Sequence, residues 1–228
     1  MIYIGIDDTD NLNSRGTGRL ARNIAAALSS EFTVQGVVRH QLLQDPRVPF
    51  TSHNSSATIL LEDEGRADTG ELFARVREML LSDFQAGSDP GLCVAREVPP
   101  AVTGHGRRAQ KTIVTQGEAR ALAREYGIPL EGLGGTEDGV IGALASVGLT
   151  ACGEDGRYLL VGGVRDLSGL QPVGAVLAAG VREVRTTDGG IVTDGMILAD
   201  KIRPARRGGE PVAYVEWRGD RWEPLKLN

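Results

Sequence analysis

Apolar residues open the chain in a short unbroken run, residues 1–6 (MIYIGI), followed at once by the polar stretch 7–18. Such a β-branched run reads as a strand buried on both faces. Leu20, Ile24, Ala27 and Leu28 then recur at helical spacing across residues 19–30. The order is therefore strand, acidic and glycine-rich loop, helix. In open α/β sheets ligands bind beyond the carboxyl ends of strands, which is where this order puts the loop.

Residues 34–43 alternate and residues 57–61 are apolar, so both are expected as strands, with the polar loop 45–56 between them. Leu72, Phe73, Val76, Met79 and Leu80 mark a helix over 69–83, and 91–95 returns as a short strand. A further helix is predicted over 115–126, ended by Gly127 and barred from continuing by Pro129. From Gly132 the composition turns to glycine, and 139–147 (GVIGALASV) reads as a helix whose small residues allow close backbone approach. A second unit is expected to begin near here, with strands at 157–164, 181–187, 190–198 and 212–217 and a helix near 173–179. The expected fold class is α/β followed by a compact α+β layer, divided as residues 1–128 and 129–228.

Composition narrows the partners. A chain of 228 residues with 41% hydrophobic content can bury a substantial core, and 25 basic against 30 acidic side chains give a net charge of −5. No global positive field attracts nucleic acid or an anionic membrane, so any RNA contact would have to be local. Cys93 and Cys152 lie far apart with no C-x-x-C pair, which argues against a zinc ribbon and a disulfide framework and for buried thiols. No apolar run reaches the roughly 18 residues that span a bilayer, and the start has no signal-like pattern. A soluble, cytoplasmic protein without a membrane partner is expected.

Asp7, Asp8 and Asp10 place three carboxylates within four positions at a strand end, where they repel one another unless a cation or donors compensate. Magnesium suits them, since it takes hard oxygen ligands, often one or two carboxylates plus substrate phosphates. Gly16-Thr17-Gly18 at the helix start can turn backbone N–H groups toward an anion, aided by the helix dipole. Two other readings stay open: a polar turn over 7–13 with Asx caps, and the aspartyl-phosphate motif D-x-D-x-T, in which Leu12 would stand in place of the threonine.

Other positions carry weaker signals. His53, in a loop dense with hydroxyl and amide groups, is either a general base or phosphate donor, or part of a surface loop held by Ser and Asn turns. Arg39 and His40 face opposite ways on one strand, and Arg39 with its forked donors is the better phosphate ligand. The stretch around His105, with Arg107, Arg108 and Lys111, is expected as a solvated basic loop rather than a phosphate clamp, and residues 203–207 (RPARR) are read the same way. Trp217 and Trp222 are expected to close the core of the second unit rather than stack on bases.

The segments GIDDTDN (5–11) with SRGTG (14–18), RHQLLQDPRVPFTSHNSSA (39–57), DPGLCVA (89–95), GGTEDGVIGALASVG (134–148) and DGRYLLVGGVRD (155–166) resemble, in order, the archaeal tRNA(Ile) agmatidine synthetase family. The resemblance implies a kinase-like domain over 1–128 and a ferredoxin-like domain over 129–228, with magnesium and ATP as cofactors. In that family an ATP-driven, kinase-like step activates the wobble cytidine of an isoleucine tRNA before agmatine attacks. Carried over, it implies metal and ATP roles for Asp7, Asp8 and Asp10, with Thr17 nearest to the family's phosphorylated threonine. Gly16, Gly18, Arg39, Asn54 and Gly135 are the candidate positions for nucleotide contact, and Asp8, Thr17 and His53 for catalysis.

The departures are specific. The family's Lys-Thr-Arg run before Gly-Asn-Gly is here Thr51-Ser52-His53 before Asn54-Ser55-Ser56, and its Gly-Arg-Gly lead-in is here Thr136-Glu137-Asp138-Gly139. The family's OB-fold and zinc-ribbon modules are not expected within these 228 residues, which hold no zinc-ligand set of cysteines. Loss of cations and gain of anions favour a cationic amine or second metal over a polynucleotide. The expectation is a magnesium-dependent, ATP-using phosphotransferase or ligase with an altered second substrate, meeting tRNA, if at all, through another subunit. A metal-dependent phosphohydrolase and a non-catalytic nucleotide or amine sensor are the alternatives.

Overall fold

The opening apolar run forms β1 (Ile2–Asp7), and the helix that follows is α1 (Thr17–Leu28). The computed structural model describes residues 1–10, 16–48, 53–63, 65, 67–83, 85 and 87–227. The chain continues through β2 (Val34–Gln41), β3 (Ser55–Leu61), α2 (Thr69–Ser82), β4 (Gly91–Ala95), α3 (Pro100–Ala109), α4 (Gln116–Glu125), β5 (Leu130–Gly132) and α5 (Gly139–Ala151). Next come β6 (Arg157–Leu160), β7 (Leu170–Pro172), α6 (Val173–Ala178), β8 (Glu183–Arg185), β9 (Met196–Leu198), β10 (Ala205–Arg207), β11 (Glu210–Trp217) and β12 (Trp222–Pro224). Among the described residues the strands join one large sheet in the order β5-β4-β1-β3-β2-β6-β10-β11-β12-β9-β7, with β8 beside β11. No described helix is long and apolar enough to cross a membrane.

β1 lies between β3 and β4 and runs antiparallel to both, with Ile6 opposite Ala57 and Leu92. Its alternate side chains serve two cores. Ile2, Ile4 and Ile6 meet α1 and α2 through Leu20, Ile24, Leu28, Leu72 and Val76. Tyr3 turns to the opposite face, against Ala143, Leu144 and Val147 of α5. Full burial of an isoleucine is worth roughly 1.5–3 kcal/mol, so β1 anchors both layers.

The sheet is antiparallel here, so the rule for parallel α/β sheets does not describe it. The carboxyl end of β1 is instead flanked by the beginnings of β3 and β4, where Asp7 stands opposite Gly91.

α5 comes unusually close to the sheet. A Cβ added to Gly5 would sit 2.1 Å from Ala143 O, and one on Gly91 would sit 2.1 Å from Gly139 C. The small-residue stripe thus lets α5 lie directly on β1 and β4. Helix ends follow local chemistry: Thr115 and Glu118 form a reciprocal capping box on α4, and Gly127, at φ 63°, ends it.

Four expectations are corrected. The stretch around His105 is the helix α3, whose Val102, His105, Gly106 and Ala109 form its buried side. A Cβ at Gly106 would meet Ala145 O at 2.7 Å, so the glycine is a packing surface against α5 and not a hinge. In the RPARR run, Arg206 is buried, donating to Thr150 O at 3.0 Å and to the Tyr158 hydroxyl at 2.5 Å. Trp217 is 49% exposed, and only Trp222 packs against the second core, with the two rings edge-on at 4.9 Å. The strand expected over 190–198 shrinks to β9 and an isolated bridge between Arg185 and Ile191. The two halves meet edge to edge, because β6 pairs with β2 through Val38 and Tyr158.

Candidate active site

The end of β1, the N-terminal end of α5, residues 42–48 and 53–55 of the β2–β3 connection and the end of α3 enclose a cleft of about 200 Å³. Asp7, Asp8, Asp10 and Asp138 give it an acidic floor, and Thr17, His53, Asn54 and Ser55 also line it. Leu42, Leu43, Val48, Ala109, Ile113, Val114 and Ile141 form an apolar wall.

Each acidic residue has its own setting. A Cβ on Gly142 would lie 1.8 Å from Asp7 Oδ2, so the glycine leaves the space this carboxyl occupies. Burial, then the charge of Asp8, pushes Asp7 up to about 8. Asp8 sits at φ 48°, a left-handed conformation that costs a non-glycine residue about 1–2 kcal/mol. Its carboxyl is pushed up to about 6 by burial, and further by the charges of Asp89, Asp10 and Asp138. Asp10 Oδ1 accepts from the Thr17 hydroxyl at 2.8 Å and the Thr17 amide at 3.3 Å. It therefore caps α1, for which Gly16 offers no side chain.

Thr17 is 6% exposed, and its hydroxyl also receives a bond from the Thr9 hydroxyl at 3.1 Å. His53 is exposed at the rim. Asn54 lines the cleft but spends its side-chain amide on Leu43 O at 2.7 Å, which fixes the apolar wall. The other expected contact positions lie outside the lining. Gly18 packs on Leu159, where a Cβ would come within 2.5 Å of Cδ1. Arg39 stands behind the cleft, donating to Ser55 Oγ at 3.0 Å, and burial followed by the charge of Arg157 holds its pKa below the usual arginine range. Gly135, at φ 58°, lets the chain turn so that Thr136 N reaches Asp89 Oδ1 at 2.6 Å.

Of the two anions expected to alter the ligand surface, only Asp138 reaches the cleft, bonded to Gln116 Nε2 at 2.7 Å. Glu137 is paired with Arg120. The sequence reading missed Asp89, Gly142 and the whole apolar wall. The wall could have been suspected from the adjacent apolar residues Leu42-Leu43 and Ile113-Val114 on either side of polar loops.

Among the described residues no three His, Cys, Asp or Glu side chains stand together as a ready metal cage. Magnesium needs no such cage, because it commonly takes one or two protein carboxylates and completes its octahedron with water and phosphate. The donor set of Asp8 and Asp10 fits that demand in kind, and burial followed by the charges of neighbouring carboxylates raises Asp7 and Asp8, a cost that a bound cation would offset.

No family model matches the chain. A search of curated proteins finds similarity to tRNA(Ile2) 2-agmatinylcytidine synthetase TiaS of Cenarchaeum symbiosum (strain A), 25% identical over 150 residues, covering 64% of this chain and 33% of the relative. Among solved structures, the TiaS–tRNA(Ile2)–ATP complex matches with a TM-score of 0.56 and 27% identity, over 64% of this chain and 36% of that one. A structure described as a tRNA fluorescent labeling enzyme matches with the same TM-score and identity over 35% of its length. Over this stretch the chain is similar to TiaS. It spans about a third of the length of the TiaS relatives it matches. The mixed α/β fold over this stretch is similar to that of TiaS, and residues 7–10 bring Asp7, Asp8 and Asp10 to the cleft.

Proposed function

We propose that this chain carries the magnesium- and nucleotide-binding part of an ATP-using enzyme, with the cleft as its active site. The observation that carries the reading is the gathering of Asp7, Asp8, Asp10 and Asp138 on one cleft, with two of the carboxyls pushed toward neutral pH. Asp8 and Asp10 would hold magnesium, which when bound supplies charge neutralisation for phosphate oxygens. The similar TiaS complexes contain ATP or AMPCPP, which supports a nucleotide as the anionic ligand.

The chain's own residues supply position. Thr17 offers a hydroxyl already bonded to a carboxylate that can take its proton, and His53 stands at the rim within the same cleft. The apolar wall offers a surface for a base or a hydrocarbon chain, and Asp138 beside it favours a cationic group. The cleft is smaller than the roughly 300–1,000 Å³ typical of ligand pockets, so a nucleotide would extend past its mouth. Gly16, Gly18, Arg39, Asn54 and Gly135 then act mainly by shaping the walls. Rate acceleration would come from placement and charge, as in phosphoryl transfer generally.

The finer architecture is part of the same proposal: a kinase-like first unit and a ferredoxin-like second unit, with the expected division at 128/129 moved so that α5 stays with the sheet it covers. An amine is the favoured second substrate, and contact with tRNA is assigned to another subunit. A second reading, a sensor that binds without turnover, is favoured by the burial of Thr17. ATP turnover with and without magnesium, compared between the native chain and Asp8→Asn, separates these. Metal-independent turnover unchanged in the variant defeats the active-site reading, and tight nucleotide binding without turnover in the native chain selects the sensor.

A further inference from the structure

Around β6, where α1 packs, several arginines stand without an ion pair among the described residues. Arg39 of β2 and Arg157 of β6 are register partners. The contact of Gly18 with Leu159 seats the first turn of α1 on β6, and there Arg22 donates to Gly18 O at 2.8 Å. Arg165 reaches back to Leu159 O at 3.1 Å. Tyr158 N bonds to Pro204 O at 2.7 Å, which draws the neighbouring Arg203 to the same strand. Five guanidinium groups are thereby gathered around β6.

Among the described residues none of the five forms an ion pair, and their hydrogen bonds go to backbone carbonyls or, for Arg39, to Ser55 and Gln41. Arg157 Nε is buried with no partner among the described residues. Burial, then the charges of neighbouring arginines, holds Arg22 and Arg203 below the usual arginine range, with no carboxylate opposing the shift. In a chain of net charge −5, arginines so placed against one another cost stability until an anion completes them.

We propose that Arg22, Arg39, Arg157, Arg165 and Arg203 form a metal-independent binding site for a compact, multiply charged phosphate or pyrophosphate group, behind Ser55 and separate from the acidic cleft. Guanidinium forks match phosphate oxygens in geometry as well as charge. Their convergence on one short strand suits a compact anion better than a polynucleotide, which needs a charged track. The site stands whether or not the cleft binds nucleotide.

Calorimetric titration of the full chain with pyrophosphate, in excess EDTA at low salt, is the test. Binding is expected, weakened about tenfold or more in Arg157→Gln/Arg203→Gln, weakened less in Arg165→Gln, and unchanged in Asp8→Asn. Because Arg165 is exposed, its variant keeps the test valid if the double variant fails to fold. No binding in EDTA overturns the proposal, as does full affinity in folded arginine variants. An oligoribonucleotide that binds these arginines and resists competition by pyrophosphate overturns it too.

Discussion

α5 joins two clusters of ionisable groups that solve opposite problems. At its N-terminal end Asp7, Asp8 and Asp138 crowd a cleft, and the first two are pushed toward neutrality. At its C-terminal end Thr150 accepts the opposite arrangement, a buried polar network. His40 bridges Asp155 Oδ1 and the Thr150 hydroxyl, each at 2.6 Å. Gln110 donates to Asp155 Oδ2 at 2.9 Å, and Arg206 to Thr150 O. A neutral His40 that donates from Nδ1 and accepts at Nε2 satisfies both partners. The Asp, His and Thr side chains make a catalytic-looking row, yet His40 and Thr150 are 0% exposed, so no substrate reaches them. Charge left uncompensated at an open cleft points to a ligand, whereas charge compensated inside the protein points to stability.

The sharpest way to break that comparison is His40→Ala, which leaves Asp155 and Thr150 without their shared partner. A loss of about 1–3 kcal/mol is expected in urea unfolding, the cost of leaving buried hydrogen-bonding groups unsatisfied, with activity per folded molecule retained. Loss of activity without loss of stability would tie the network to the chemistry. Asp8→Asn is the converse experiment. Asparagine tolerates the left-handed backbone at this position and carries no charge, so stability should hold or rise. Turnover should fall about 10²–10³-fold, the range seen when a preorganised charge-stabilising group is lost.

Gly142→Ala probes the geometry between the two. Its Cβ would displace Asp7, and overpacking of this kind costs about 1–3 kcal/mol. Magnesium affinity, read by calorimetry, should weaken along with stability, while a change in stability alone would place Asp7 outside the metal site. The smallest effect concerns pH. Burial holds His40 below its ordinary value of 6.5, and although burial by itself would raise Asp155, the bond and charge of His40 hold that carboxyl below 3.8. Both depressed values contribute stability that is present above the unfolded pKa and lost on acidification. Melting temperature should therefore start to fall as pH drops below 6.5, and His40→Gln should flatten that part of the curve.

Much of the first half was legible from local pattern. The β1, β3 and β4 runs, the α2 spacing and the Thr115–Gly127 helix boundaries all rest on residues within a turn or two of one another. The acidic positions 7, 8 and 10 were equally readable, since three close carboxylates are a local fact. α3 escaped because, Val102 apart, its buried face is built from glycine, alanine and a histidine, a pattern with little hydrophobic weight. The short strands β5, β7, β10 and β12 carry too few residues for a period to register.

By itself the sequence determined the strand, acidic loop and helix order at its start, the caps of α4 and the small-residue stripe of α5, because each depends on neighbours along the chain. Only the tertiary structure decided which glycines face a helix and which a carboxyl, that Arg206 is buried, and that His40 finds a partner 115 residues away. Burial and charge pairing are properties of groups brought together in space, and no spacing rule along the chain encodes a contact between β2 and the far end of α5.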